Sequence, residues 1–306
     1  MSKNGFLMEV KKNWVLFLML LPAFVFFLFN NYLPMLGIYY AFTRFTYGKG
    51  LFGGQFVGFN NFKYLFESNT ILSITFNTVA YNFVFIVLGN FLQIFTAVLI
   101  SLMVGKWYKR AAQSIMLLPH FVSMVVVGVL AYNFFNYDYG MLNTLLKALH
   151  SQPVNVYSNT RLFPVIIVAF NLWKGLGYGM IIYLAAILGI DPEIYEASFL
   201  DGADVFQQIR YVTLPLLKPT FIILFLYSIG SILKGQFDLF YQLVGMNGVL
   251  FPTTDIIDTY VYRALLNGSN FGMGTAAGVY QSVFGFVLIM IVNAIIKRKT
   301  PEFSLF

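Results

Sequence analysis

Asp191-Pro192-Glu193-Ile194-Tyr195-Glu196-Ala197-Ser198-Phe199-Leu200-Asp201-Gly202-Ala203-Asp204 is a polar island in an apolar chain, running on to Val212-Thr213-Leu214-Pro215-Leu216-Leu217-Lys218-Pro219. Asp191, Glu193, Glu196, Asp201 and Asp204 are five of only twelve carboxylates in 306 residues. Asp before Pro is a good helix start, because the carboxylate accepts from free amides while Pro tolerates the first helical position. Glu193 falls in the first turn, where the helix dipole favours negative charge. The helix is expected to reach about Leu200. Gly202 permits a turn, and a second short helix is expected over about 205–211, ended by Pro215 and Pro219, which launch the next apolar run. Two short helices at an angle make a compact acidic knob. It reads either as a docking surface for a soluble partner or as an ordinary capped loop between spans.

Composition decides the setting of that knob. The chain is 59% hydrophobic and 10% charged, against roughly 25% charged in ordinary soluble domains. A soluble globular protein is excluded. The 35 Phe and 20 Tyr suit lipid-facing surfaces and interfacial belts. Zero Cys removes disulfides, thiolate catalysis and most structural zinc sites. The net charge of +7 lies in short clusters at segment ends, which reads as topogenic charge rather than nucleic-acid binding.

Six runs reach the roughly 20 apolar residues that a spanning helix needs: 14–33, 72–104, 111–135, 162–188, 220–240 and 273–296. Lys3, Lys11 and Lys12 precede the first run like a signal's basic end, but the run is long and lacks a small-residue cleavage site, so it reads as a retained anchor. With both termini inside, the inner face holds Lys3, Lys11, Lys12, Lys106, Lys109, Arg110, Arg210, Lys218, Lys297, Arg298 and Lys299. The outer face holds Arg44, Lys49, Lys63, Lys147, Arg161 and Arg263. That bias favours N-in and C-in, which puts the knob in the cytoplasm. Outside, the aromatic run 59–66 and the stretch 141–150 each suggest a short interfacial or external helix, and 241–272 a longer loop. The expected organisation is a tail, first span and outer aromatic segment (1–70), a five-helix core (71–296) and a C-terminal tail (297–306).

The knob resembles the EAA loop of ABC importer permeases. Glu196-Ala197-Ser198, Gly202 six positions after the Glu, and Val212-Thr213-Leu214-Pro215 follow that pattern, with Ser198 for the second Ala and Val212 for Ile. Tyr32-Leu33-Pro34-Met35, Phe56-Val57-Gly58-Phe59-Asn60-Asn61-Phe62, Phe237-Asp238 and Gly274-Thr275-Ala276-Ala277 resemble carbohydrate-type members. Within the family the chain looks closest to permeases for polysaccharide or complex oligosaccharide uptake. The resemblance implies an all-α integral membrane fold: six transmembrane helices, a type I permease core with an added N-terminal helix, and the coupling loop at 190–219. It implies coupling to ATPase subunits through Glu196, Ala197, Ser198, Asp201, Gly202, Leu214 and Pro215. Its partners would be a second permease (a different chain), two ATP-binding cassette subunits, an extracellular substrate-binding protein and a carbohydrate, in a bacterial cell membrane. No cofactor, metal, nucleic acid or catalytic group belongs to the chain on this reading.

The fourth run carries Asn171, Gly175 and Tyr178 on one face by i, i+4, i+7 spacing. Maltose permeases of the family present Asn, Gly and Tyr to sugar at that spacing, again with the Asn 25 residues before the motif Glu. The alternative is that Gly175 and Gly179 form a packing seam. Ser228 and Ser231 are weaker pathway candidates, with bonding to their own backbone as the alternative. Lys174, Lys234 and Asp238 are ionisable groups in or near apolar runs. Lys234 and Asp238, four apart, are expected to pair on one helix, snorkelling or closing a gate. His120 and His150 are too separated for a metal site, and no Gly-x-x-x-x-Gly-Lys-Ser/Thr occurs for ATP. An amino-acid or peptide importer, an ion-coupled secondary transporter and a membrane enzyme are the rival readings. The long aromatic outer segment weighs against the first, the absence of repeats against the second, and the absence of a catalytic constellation against the third.

Overall fold

A computed structural model describes residues 3–46, 48–50, 52–266 and 271–299. Helix α1 (Lys3–Lys12) leads into α2 (Trp14–Phe27), which continues through a π-helical turn (Leu28–Tyr32) and a 3-10 segment (Leu33–Phe42). Strands β1 (Thr43–Arg44) and β2 (Gln55–Phe56) pair antiparallel. Then come α3 (Asn60–Glu67), α4 (Thr70–Leu102), α5 (Lys106–Phe121), α6 (Met124–Phe135), α7 (Met141–Ala148) and α8 (Phe163–Leu188). The knob is α9 (Pro192–Leu200) and α10 (Val205–Gln208), joined by a π-helical turn (Ile209–Thr213) to α11 (Leu214–Gly230). Helices α12 (Phe237–Val244), α13 (Phe251–Thr254), α14 (Ile257–Leu266) and α15 (Phe271–Lys299) complete the order. Of the expected outer loop, 267–270 lie outside the described residues, as do 300–306 of the expected tail.

Among the described residues, five helical runs are long and apolar enough to cross a membrane: Trp14–Phe42, Thr70–Leu102, Phe163–Leu188, Val205–Gly230 and Phe271–Arg298. Counted as one crossing, α5 and α6 bring the number to six. The second, fourth and sixth runs and the short helices α3 and α7 fall at the positions in the chain that the sequence predicts. Four expectations need correction. The first run continues to Phe42, because Pro34 sits in the opening turn of the 3-10 segment, where its missing N–H breaks nothing. The third run is not one rod but bends by 92° between Phe121 and Met124. The fifth ends at Gly230 rather than 240, and it is continuous with the knob. Pro215 lies in the first turn of α11, where a missing N–H breaks nothing, and the helix continues through Pro219. The expected outer loop is itself helical in α13 and α14.

Helices α4 and α8 form the spine. Tyr183 on α8 donates to Asn90 Oδ1 on α4 at 2.6 Å, both residues being buried. Toward the knob the spine packs Ala97, Met180, Leu184 and Leu217 together; at the other end Tyr81, Phe85, Phe163, Ile167 and Phe240 make a second cluster. Small residues let backbones approach, as association inside lipid requires. A Cβ on Gly128 would stand 2.7 Å from the Gln242 carbonyl oxygen, and Ala276 and Ala277 are fully buried in a third cluster with Ile71 and Ile257. In contrast, Trp14–Phe27 buries no residue against the rest of the chain. In the segment between α7 and α8, burial pushes the Tyr157 phenol up to about 12.

Asp255 and Arg263 are bound at 2.5 Å with little exposure, Thr259 Oγ1 donates to the same carboxylate at 2.7 Å, and the guanidinium lies 4.0 Å over the Phe251 ring. Removing one member leaves a charge without its partner, an effect of about 3–5 kcal/mol. Arg263→Met should therefore lower the melting temperature of the purified chain in detergent. The double variant Asp255→Leu, Arg263→Met should recover a large part of that loss.

Candidate functional site

The knob folds by its own local chemistry. Asp191 Oδ1 accepts from the Glu193 amide at 3.0 Å, and Asp204 and Gln207 form a reciprocal capping box at 2.7 and 2.8 Å. Each cap contributes about 1 kcal/mol. Between them the Ala203 amide bonds Ser198 O and the Gly202 amide bonds Phe199 O, a Schellman closure with Gly202 at φ +81°. A Cβ there would meet nothing within 4 Å, so the turn demands glycine for its dihedral and not for space. The two arms are then tied together. Tyr195 OH bonds Thr213 Oγ1 at 3.0 Å, and Gln208 Nε2 donates to Ser198 Oγ at 3.0 Å. Ser198, where the motif has Ala, is thus an internal brace.

What the knob shows outward is mixed. Glu196 is exposed and takes no partner among the described residues. Leu200 is 85% and Phe206 69% exposed, with Phe199 and Val205 beside them. Glu196 lines a cleft of about 430 Å³ with Ser101 and Leu102 of α4, Tyr195 and Thr213. Ser198, Asp201 and Gly202 line a second cleft of about 330 Å³ with Gln207 and Tyr211. Leu214 and Pro215 line neither cleft and stand at the start of α11; Ala197 is exposed on α9.

Across the membrane layer, two breaks flank α8. At the α5–α6 bend, Pro119 lies one turn before the helix ends, and Ser123 caps α6 by accepting from the Val126 amide. The carbonyls of the bend lack their regular helical N–H partners. Lys174 Nζ supplies the donors instead: to Pro119 O at 3.3 Å, to His120 O at 2.9 Å and to Val122 O. Placing a lysine at a span's centre costs about 2.5–3.5 kcal/mol; hydrogen bonds from a charged donor, each worth roughly 1.5–3 kcal/mol, offset it. The other break, between α11 and α12, is held from three helices. Asn82 Nδ2 donates to Ile232 O at 2.9 Å, Gln281 Nε2 to Leu233 O at 2.6 Å, and the Gly235 amide to Asp258 Oδ2 at 2.8 Å.

One face of α8 touches both breaks. Asn171 Nδ2 donates to Gln236 Oε1 at 2.5 Å, at the second break. Tyr178 is 56% exposed and stacks on His120 at 4.8 Å and 13°, at the first. Between them a Cβ on Gly175 would meet nothing within 4 Å. The α8 seam consists of Gly177 against Met116 and Leu117 and Gly179 against Gln93, so Gly175 stands apart from it. Ser228 on α11 bonds Leu224 O at 2.8 Å, and Ser231, just past the end of α11, bonds Tyr227 O at 3.5 Å. Lys234 and Asp238 do not share a helix, because α11 ends at Gly230 and α12 begins at Phe237, and they form no ion pair among the described residues. The sequence reading missed Gln236, Asn82, Gln281 and Asp258 as a group. An amide or carboxylate inside an apolar run is the signal that could have found them.

The family described as "Binding-protein-dependent transport system inner membrane component" matches residues 89–301. Protein LplB of Bacillus subtilis (strain 168) is 32% identical over 293 residues, covering 96% of this chain and 92% of that protein. The polygalacturonan/rhamnogalacturonan transport system permease protein YteP of the same organism is 32% identical over 301 residues, covering 98% and 93%. Among solved structures, a chain of a bacterial alginate ABC transporter, in complex with an alginate pentasaccharide-bound periplasmic protein, superposes with a TM-score of 0.84 at 32% identity. It covers 96% of this chain and 97% of that one.

The glycines of α8 separate by experiment. A Cβ on Gly177 would stand 2.0 Å from the Met116 carbonyl oxygen, which is backbone and cannot step aside. Gly177→Ala should destabilise the chain by about 1–3 kcal/mol and lower its melting temperature in detergent. Gly175→Ala should stay within about 0.5 kcal/mol of the parent.

Proposed function

This chain belongs to the binding-protein-dependent transport system inner membrane components, and we propose from that premise that it is one of two permeases forming the path of an ATP-driven carbohydrate importer. It is a multi-pass permease subunit of type I fold. Its cargo is an oligosaccharide or polysaccharide fragment delivered by an extracellular binding protein, and the second permease is a different chain. Hydrolysis takes place on two ATP-binding cassette subunits, which the knob engages. The observation that carries this reading is the free Glu196 carboxylate on a braced, capped knob ringed by exposed Phe199, Leu200 and Phe206. A carboxylate among apolar side chains suits a cleft offering one cation and an apolar floor. Because α8 runs through a short turn into α9, and α10 into α11, movement of the knob moves both spans at once. The path itself runs along Asn171, Gly175 and Tyr178. The amide bonds hydroxyls, the open glycine admits a sugar ring, and the Tyr178 ring stacks on it. Ser228 and Ser231 are secondary members of this path. The names of relatives that transport polygalacturonan, rhamnogalacturonan or alginate support the cargo class.

Coupling and path should fail in different ways in the reconstituted complex. Glu196→Lys should leave membrane insertion intact and abolish ATPase association or binding-protein-stimulated hydrolysis. Tyr178→Ala should lose a stacking contact of about 1–2 kcal/mol, and so lower uptake while the complex still assembles; Asn171→Ala should act in the same direction. Normal stimulated hydrolysis in the first variant would defeat the coupling role, and unchanged uptake in both of the others would make this face a packing surface.

Both termini are assigned to the cytoplasm, with 71–296 as the permease core and 1–70 and 297–306 as its flanks. The support is the distribution of Lys and Arg. The chain has no native Cys, so single cysteines report sidedness cleanly. A cysteine at Gln152 should react with an impermeant thiol reagent from outside, and one at Leu200 only from within. The reverse pattern would invert the topology.

A further inference from the structure

We infer that Lys174 is a positioning residue for transport: it holds the bend between α5 and α6 and, through His120, sets the ring pair that stands on the sugar path. Three observations meet at this side chain. Its ammonium donates to three carbonyls that converge on one point, Pro119 O, His120 O and Val122 O. A lysine is the side chain that presents three donors on a single atom. Its positive charge lies beside the C-terminal end of α5, where the helix dipole favours a cation. No carboxylate neutralises it, since the two ion pairs among the described residues are Lys63–Glu67 and Arg263–Asp255.

One of the three acceptors belongs to His120, and the His120 ring is stacked on Tyr178, one turn along α8 from Lys174. The lysine, the His120 backbone and the Tyr178 ring therefore close a loop between α8 and the end of α5. Without the ammonium, the carbonyls at the bend are left to find other donors and the His120 backbone is no longer tied to α8. The ring pair then loses its fixed place beside the open face of Gly175. Lys174 need not touch the sugar for this, as its donors are already engaged.

The test uses the complete importer, with its second permease, ATPase subunits and binding protein. Lys174→Met should lower oligosaccharide uptake by about tenfold, and Lys174→Arg, which keeps the charge and several donors, should stay within roughly threefold of the parent. His120→Ala should lower uptake similarly, and the double variant should be no worse than the weaker single, because both act through one ring pair. Spin labels on cysteines at Trp107 of α5 and Leu130 of α6, both exposed in this chain, read the bend directly. One narrow separation is expected with Lys174 or Lys174→Arg, and a broad one with Lys174→Met. The inference is overturned by an unchanged separation in Lys174→Met, by uptake within about twofold of the parent in that variant, by multiplying losses in the double variant, or by failure of Lys174→Met to assemble, which would make the lysine a folding residue only. The uptake arm rests on the import reading. A parent complex that imports no oligosaccharide sinks that reading instead, and the label separations, which need no substrate, still decide whether Lys174 holds the bend.

Discussion

Inside a bilayer a backbone carbonyl or amide that leaves its helical ladder has no water to turn to, and this constraint organises the whole chain. One span breaks and another ends in irregular backbone past Gly230, and each of these places is held by side chains from other helices. At the third span the donor is a single ammonium, Lys174. At the fifth the load is divided among Asn82, Gln281 and Asp258, from α4, α15 and α14. The polar residues of the interior are thus not scattered through the apolar runs. Several of them meet where the backbone is irregular, at the bend after Pro119 and in the stretch past Gly230.

That placement joins the breaks to the knob. Helix α8 is packed along α4 by Tyr183 and Asn90 and by the close approach of Gly179 to Gln93. Its C-terminal end passes through Gly189 and Ile190 straight into α9. On the far arm, α10 enters α11 through a π turn without a break. A knob braced by Tyr195–Thr213 and Ser198–Gln208 therefore acts as one body attached to two spans. On the proposed reading, force applied at Glu196 reaches the face carrying Asn171 and Tyr178 through α9 and the short turn at 189–191. The breaks at 122–123 and 231–236 are then the places where the outer halves can change angle.

The knob was legible because its determinants are local. Asp191-Pro192, Gly202 and the Asp204/Gln207 pair act within one or two turns, and their caps fold as the residue types demand. Apolar runs of the right length located three of the six crossings closely, the second, fourth and sixth, for the same reason. Prolines misled the reading in both directions. Pro215 and Pro219 suggest a stop, yet the helix passes through both. Pro119 lies inside an apparently continuous run, yet the helix turns by 92° just after it. Whether a proline stops, kinks or is absorbed depends on which partner the freed carbonyl finds, and that partner is remote in sequence. Lys174 is 55 residues from Pro119.

The sequence by itself determined that this is a membrane chain, where most of its helices run, that an acidic capped knob joins the fourth span to the fifth, and that Asn171, Gly175 and Tyr178 share a face. Length, hydropathy, caps and helical period are properties of neighbouring residues, and no tertiary contact is needed to read them. Only the tertiary structure decided what the isolated polar residues do. It separated Lys234 from Asp238 by ending α11 at Gly230, spent Lys174 on a bend in another span, and set Gly177 and Gly179 in the seam while leaving Gly175 open. The reason is that a polar group in lipid must find its partner wherever the fold brings one within about 3 Å, and sequence distance carries no record of that meeting.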